Sequence, residues 1–265
     1  MSAMTLLQDG SAVLSGGLVG FVLGLIGGGG SILAVPLLVY VVGVASPHIA
    51  IGTSAVAVAG AAALNLFHHA RAATVRWPCA AAFSTAGVIG AAFGARLGQA
   101  FDGQKLLALF GALMLVVGVL MFLPRRAGDA PDVHLSRANA ARLLPGLFGT
   151  GFAVGGFSGF FGIGGGFLVV PGLIGATAMP ILNAIGSSLV SVTAFGLTTA
   201  ASYAFAGLVD WPVAALFVSG AALGGYGGSR LAGRLAGSRR LLQRLFAILV
   251  LAVGFYVMAH GLLAL

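Results

Sequence analysis

Two glycine-rich runs are the strongest candidates for binding chemistry. One reads Gly27-Gly28-Gly29-Gly30-Ser31, and the other reads Gly162-Ile163-Gly164-Gly165-Gly166. A run of glycines breaks a helix, because glycine has the highest backbone entropy and no side chain to pack. A helix that restarts after the run, from Ser31 or Gly166, presents free N–H groups and the positive end of its dipole. Such a helix end binds an anion without a cationic side chain.

Hydroxyl and amide side chains form a second set of candidate ligands. Thr53-Ser54 and Ser187-Ser188 occupy equivalent places in the helix that follows each glycine run. Serine and threonine inside apolar helices usually bond their own backbone, and this remains the alternative for each residue alone. As matched pairs near both glycine runs, we expect them to contact a ligand. Asn65 and Asn183 are weaker candidates for the same role.

The inventory of ionisable groups argues against an enzyme. The chain has no glutamate, and its five aspartates lie at or outside the ends of the apolar segments. No carboxylate is therefore available within the spans to relay protons or bind Na⁺. The chain has one cysteine, Cys79, and no Gly-Lys-Ser/Thr sequence completes a phosphate loop. We expect no catalytic residue, no metal site and no cofactor.

Composition places these residues in a membrane. Hydrophobic residues make up 59% of the 265 and charged residues 7%, whereas a soluble domain carries roughly 25% charged residues. Apolar stretches of about 18 residues or more recur along the chain, which is the length that spans a bilayer. The net charge of +8 comes from Lys and Arg in or beside loops, so it indicates topology and not nucleic-acid binding.

Small residues repeat at four-residue spacing within the spans, a pattern typical of close helix packing in lipid. Seams of this kind would also permit a homodimer. They are Gly16/Gly20/Gly24, Gly90/Gly94/Gly98 and Gly220/Gly224/Gly228.

The chain contains two copies of one unit. Landmarks recur about 134 residues apart in constant order, which chance similarity between apolar segments would not produce. We predict a first repeat over 11–123, a polar cytoplasmic linker over 124–142 and a second repeat over 143–264. Each repeat should contain one long glycine-broken segment and three transmembrane helices. The landmarks are Pro36 and Pro171, Gly52 and Gly186, Trp77-Pro78 and Trp211-Pro212, and Arg96 and Arg230.

Charge predicts which way the repeats lie in the membrane. If each long segment is a hairpin that enters and leaves by one face, eleven of the thirteen Lys and Arg fall on the cytoplasmic side. The two repeats then have inverted topology, and both termini face outward. A single strongly kinked span is the alternative, although a helix over 11–45 would be about 50 Å long, beyond a hydrocarbon core of about 30 Å. The first ten residues are predicted to be a short tail.

The two glycine turns read G-x-x-G-G-G-G-S and G-x-G-G-G-F. Each is followed by Pro, then by G-T-S or G-S-S, and then by W-P. In this set of motifs the chain resembles the TauE/SafE sulfite exporter family. The resemblance covers about 11–263, and the second turn departs from the pattern at Ile163. It implies transport of a small sulfur-containing anion, such as sulfite, thiosulfate or an organosulfonate, across a bacterial plasma membrane.

Residues and resemblance together predict an all-α secondary transporter that holds its anion at the bilayer midplane. Export is favoured, because an inside-negative potential drives a monovalent anion outward by about 2.3 kcal/mol per 100 mV. The alternatives are a carrier for another small anion or metabolite, and a passive channel. A membrane-embedded enzyme is the weakest alternative.

Overall fold

The computed structural model describes residues 3–26, 28–71, 73–122, 139–234 and 239–263. Ten α-helices and one 3₁₀ helix account for most of these residues, and none of them lies in a strand. The first half contains α1 (Ala3–Ile26), the 3₁₀ helix (Gly28–Leu33), α2 (Ala34–Tyr40), α3 (Pro47–Arg71), α4 (Trp77–Ala100) and α5 (Gly103–Phe122). The second half contains α6 (Ala140–Phe161), α7 (Gly166–Thr177), α8 (Ile181–Phe205), α9 (Trp211–Arg234) and α10 (Arg239–Leu263).

Seven of the described helices, α1, α3 to α6, α8 and α10, are long and apolar enough to cross a membrane. Together with the composition, they make the protein an all-α, multi-pass integral membrane protein. Of the three transmembrane helices predicted for the second repeat, the middle one, at 212–230, falls in α9, which has 24 residues but is not one of the seven. Its sequence is rich in glycine and carries Arg230 and Arg234, and both features lower its hydropathy.

Two boundary predictions were wrong. α1 begins at Ala3, so the residues from Ala3 to Gly10 are helical and not a tail. After the first glycine run, the chain does not restart as an α-helix at Ser31. It continues as the 3₁₀ helix, and α2 begins only at Ala34. Gly28, Gly29 and Gly30 lie in this 3₁₀ helix, although glycine would permit other conformations. Gly27 and the part of the predicted linker at 124–138 lie outside the described residues.

Each glycine run is followed by a return of the chain along the helix that precedes it. In the second half, α7 runs antiparallel to α6. Gly172 lies beside Val154, and near the start of α6 Gly146 lies beside Ala176. In the first half, Gly30 packs against the backbone of Val19 and Leu23, so the 3₁₀ helix folds back on α1. The chain therefore forms two helical hairpins.

The two halves pack mainly against each other. α1 packs on α9 and α6 packs on α4, and both pairs are parallel. The predicted glycine seams make these contacts: Gly16 and Gly20 meet Phe217 and Ala221, and Gly94 meets Gly156. The assignment of these seams to close helix packing is thereby confirmed.

Helices that are equivalent in the two copies pack antiparallel. In the α3–α8 pair, Gly52 meets Tyr203 whereas Gly196 meets Ala59. In the α5–α10 pair, Gly111 meets Met258. Two equivalent helices become antiparallel when a half-turn about an axis across the bundle relates them. This packing supports the inverted relation between the repeats.

Hydrogen bonds define the two ends of the bundle. At one end, Nε2 of His48 lies 3.1 Å from the Phe101 carbonyl oxygen, and the Asp210 N–H donates to Thr53 at 3.0 Å. At the other end, Asn183 donates to the Thr74 carbonyl at 3.1 Å. We call the second one the basic end, because the loop that bears Arg71 and Arg76 lies there.

Candidate anion-binding site

The turn between α6 and α7 interrupts the helical hairpin with irregular backbone. Gly162, Gly164 and Gly165 have φ values of 67°, 61° and 70°, in the left-handed region that favours glycine. All five residues from Gly162 to Gly166 are buried. Irregular backbone at membrane depth persists only where protein surrounds it or where it lines a wet cavity. The turn meets the first of these conditions.

The N-terminus of α7 has unused hydrogen-bond donors. The Gly165 carbonyl accepts from the N–H groups of Leu168 and Val169, both at 2.8 Å. No side chain caps the helix, and no acceptor for the N–H groups of Gly166 or Phe167 is found among the described residues. These two groups carry the positive end of the dipole of a 12-residue helix. They form a neutral pair of donors suited to an anion.

Ser158 adds a third donor beside this helix end. Its side chain is fully buried, and its hydroxyl has no hydrogen-bond partner in the described part of the chain. A Cβ atom built on Gly165 would lie 3.1 Å from the Ser158 Oγ atom, so only the lack of a side chain at Gly165 leaves that side of the hydroxyl open. Buried hydroxyls are normally bonded, and an unpaired one next to unused N–H groups indicates a place for a ligand.

The turn lies near the middle of the bundle. Gly164 packs against Val58 of α3 and Val192 of α8, and each valine is close to the centre of its 25-residue helix. The first hairpin reaches the same region, because its 3₁₀ helix contacts α7, and Gly30 and Ser31 are buried. The structure therefore brings the two predicted glycine turns together inside the bundle, where Gly164 is level with the centre of α3 and Gly162 lies nearer its start, at Ile51.

Ser54 is the predicted hydroxyl that contacts the turn. Its Oγ atom lies 2.9 Å from the Gly162 carbonyl oxygen and 2.8 Å from the carbonyl oxygen of Ile51 in its own helix. The contact joins α3 of the first copy to the turn of the second. Its counterpart Ser188 donates to the Ile185 carbonyl at 2.8 Å. Ser188 thus bonds the backbone of its own helix, as serine in apolar helices usually does.

We predict that Ser54→Ala lowers the stability of the folded protein by about 1–2 kcal/mol, because it leaves the buried Gly162 carbonyl unpaired. Thermal unfolding in detergent measures this effect. Ser219→Ala is the matched control, since Ser219 is exposed and bonds only its own helix at Leu216. Equal unfolding midpoints for the two variants would show that the Ser54 contact does not hold the turn.

The remaining predicted residues lie away from the turn. Thr53 accepts from the Asp210 N–H and Ser187 accepts from the Arg76 N–H at 2.8 Å, so both hydroxyls secure the loops that precede the Trp-Pro pairs. Asn65 donates to the Ala61 carbonyl of its own helix at 2.9 Å, and Asn183 lies at the basic end. Their predicted role as ligands stays a prediction, and these bonds give each of them a structural role.

Sequence reasoning did not select Ser158 or two other buried hydroxyls without a partner, those of Thr199 and Tyr203. Hydroxyl residues were predicted as ligands only where both copies carry one. Ser158, Thr199 and Tyr203 do not meet this condition, because the equivalent residues of the first copy are Leu23, Asn65 and His69, respectively. A polar residue in the helix that leads into a glycine turn would have been the signal for Ser158.

Comparison with known proteins agrees with this architecture. The chain matches the sulfite exporter TauE/SafE family over residues 12–257. A probable membrane transporter protein of Xylella fastidiosa (strain 9a5c) is 52% identical over 243 residues, which cover 92% of each chain. The probable membrane transporter protein YunE of Bacillus subtilis (strain 168) is 24% identical over 267 residues, covering 94% of this chain and 97% of that one. No solved structure matches the chain.

The family match spans both glycine turns, and the first of these relatives aligns over almost the whole length of the chain. The chain is therefore a membrane transporter of the sulfite exporter TauE/SafE family.

Proposed function

We propose that the chain is a secondary transporter of a small sulfur-containing anion, namely sulfite, thiosulfate or an organosulfonate. The observation that carries the proposal is the buried, uncapped N-terminus of α7, with the unpaired Ser158 hydroxyl beside it. The family match supports the substrate class.

The donors suit an oxyanion of sulfur. Sulfite and sulfonate groups each carry three oxygen atoms, and the site offers three donors from Gly166, Phe167 and Ser158. Hydrogen bonds to a charged acceptor are shorter and stronger than those between neutral groups, which offsets part of the lost hydration. Among the described residues, no cationic side chain lies at the site, so it would hold the anion less tightly than an arginine clamp and release it more readily.

The two hairpins supply a basis for alternating access. They reach mid-depth from opposite ends of the bundle, so a small movement of either hairpin would open the site to its own side. The positive-inside rule places the basic end in the cytoplasm and both termini outside, in a bacterial plasma membrane.

Export is the direction we favour. Asp102 and Asp210 lie beyond helix ends, whereas Asp9, expected outside the spans, lies within α1 at the third residue of the candidate span Leu7–Leu25. No described carboxylate therefore lies near the middle of a span, where it could carry a coupling ion. An anion leaving a cell with a negative interior needs no such ion, whereas an anion concentrated inward does. We propose transport and no enzymatic activity.

A passive channel and a carrier for other anions are the rival functions. Proteoliposomes loaded with buffer and supplied with radiolabelled sulfite or thiosulfate test both. We expect uptake that saturates with substrate, follows an interior-positive potential and resists competition by nitrate or acetate. Uptake that never saturates would indicate a channel, and uptake blind to potential but driven by a proton gradient would contradict uncoupled export.

Binding itself can be measured without flux. We expect sulfur oxyanions to raise the thermal stability of the purified protein, since a ligand at 100 times its dissociation constant adds about 2.7 kcal/mol. Equal stabilisation by phosphate, nitrate and sulfite would contradict the proposed substrate class.

A further inference from the structure

Three buried hydroxyls without partners occur in the described part of the chain, and all three lie in the second half. They belong to Ser158 of α6 and to Thr199 and Tyr203 of α8. Unpaired buried polar groups are rare, and each one needs an explanation. The α7 site accounts for Ser158, but it does not account for the other two.

Thr199 and Tyr203 lie on one face of α8, because residues four apart in a helix stand one above the other. Tyr203 is the largest fully buried side chain among the described residues. Its ring lies in a slot left by two glycines of the first copy. A Cβ atom built on Gly52 would lie 2.9 Å from the Tyr203 Cβ atom, and one built on Gly98 would lie 3.0 Å from the Tyr203 hydroxyl.

The ring lies between the anion site and one end of the bundle. Gly164 packs against the middle of α3 at Val58. Gly162 packs one to two turns closer to the start of α3, at Ile51. Tyr203 packs beside the next residue, Gly52, and the loop carbonyl of Leu208 also contacts that glycine. The Phe160 carbonyl lies 2.6 Å from the Cβ position of Gly98, so the ring closes the gap between α3, α4 and the tip of α6.

The equivalent positions of the first copy are filled differently. His69, the counterpart of Tyr203, lies with its Nδ1 atom 3.0 Å from the Thr74 hydroxyl at the basic end. Asn65, the counterpart of Thr199, donates a hydrogen bond to the Ala61 carbonyl. The counterpart of Ser158 is the apolar Leu23. The unpaired hydroxyls therefore lead from the site toward one end only.

We propose that Tyr203 is the gate that separates the anion site from the end of the bundle opposite the basic end, and that Thr199 lines the route behind it. The inference rests on the proposed function for its substrate. When the ring leaves the glycine slot, the hydroxyls of Thr199 and Ser158 gain water or the anion as partners. With the ring in the slot, as here, the route is shut.

Thiol labelling tests the gate without a substrate. Thr199→Cys is placed in a Cys79→Ser background, and right-side-out vesicles receive the membrane-impermeant cation 2-(trimethylammonium)ethyl methanethiosulfonate. We expect slow labelling with Tyr203 present and a rate about tenfold higher or more with Tyr203→Ala, because an open minor state is otherwise sparsely populated. Tyr203→Phe keeps the ring and should stay slow.

His69→Ala is the matched control, because it removes the equivalent side chain at the other end and should leave labelling from outside unchanged. Labelling is scored on protein that elutes as one folded peak, and Tyr203→Val replaces Tyr203→Ala if the latter does not fold. The gate would be overturned if labelling were equally fast with Tyr203 and with alanine or valine in its place. It would also be overturned if the Tyr203→Phe variant were labelled as fast as the variant with the small side chain.

Protection by ligand then separates the gate from the substrate. In the open variant, an organosulfonate should slow the labelling of Thr199→Cys; sulfite is unsuitable as the probe, because it cleaves methanethiosulfonates. Fast labelling that the organosulfonate does not slow supports the gate and contradicts the sulfur anion as the ligand.

Discussion

Gly165→Ala is expected to abolish anion binding and transport while the protein still folds. The new methyl group would lie 3.1 Å from the Ser158 Oγ atom and 2.9 Å from the Ser158 Cβ atom, in the space beside the first N–H groups of α7. The left-handed conformation at Gly165 also costs an alanine about 1–2 kcal/mol. The strain lowers the stability of the fold, whereas the methyl group takes space at the site itself, where each 1.4 kcal/mol of lost binding free energy lowers affinity about tenfold.

The chain offers a control for the backbone strain alone. Gly207 has the same φ of 70°, but nothing lies within 4 Å of the Cβ position there. Gly207→Ala should therefore lose a similar amount of stability and keep sulfite binding and flux. Flux into proteoliposomes, with thermal unfolding measured in parallel, compares the two variants. If Gly165→Ala transports as well as Gly207→Ala, the N-terminus of α7 is not the site.

Gly155→Leu is expected to have the largest effect on folding. A Cβ atom on Gly155 would lie 2.6 Å from two backbone atoms of Gly87, where α6 packs on α4. Backbone cannot move aside as a side chain can, so the two helices must separate. We expect a loss of about 3 kcal/mol or more, the upper range for overpacked cores, and little folded protein.

Gly149→Leu is the control on the same helix, since nothing lies within 4 Å of its Cβ position and the residue is exposed. The folded fraction after extraction in mild detergent, measured by size-exclusion chromatography, distinguishes the variants. Similar folded fractions for both would show that the α4–α6 seam does not hold the bundle together.

The helix-packing pattern is the part of the fold that the sequence predicts best. A glycine every fourth residue has one strong physical meaning in lipid, which is close approach of two backbones. The seam at Gly90 and Gly94 accordingly meets the other copy. The duplication stays a prediction, and the rare Trp-Pro pairs on which it partly rests begin α4 and α9 in the same way.

The conformation of each glycine turn could not be predicted. Glycine adopts helical and left-handed backbone with similar ease, so a glycine run specifies only that a break is permitted. Gly28 to Gly30 of the first run lie in a 3₁₀ helix, and the second run forms a turn with three left-handed residues. Contacts with other helices, which the sequence does not show, decide between these outcomes.

Matching the two copies also selected residues with structural roles. Thr53 and Ser187 are equivalent because both accept from the N–H group that precedes a Trp-Pro pair, a contact that each copy needs to fold. Ser158 is paired with Leu23 and was missed for that reason. Internal symmetry therefore points to what holds the bundle together, whereas the hydroxyls without a partner have no hydroxyl at the equivalent position of the first half.

The most direct test of the account is the position of a bound anion. Selenite has the shape and charge of sulfite, and its selenium atom can be located by anomalous X-ray diffraction in soaked crystals. We expect a peak at mid-depth, with selenite oxygens within hydrogen-bond distance of the Gly166 N–H group and the Ser158 hydroxyl. A peak elsewhere in the bundle, or none at saturating selenite, would contradict the proposal that the N-terminus of α7 holds the transported anion.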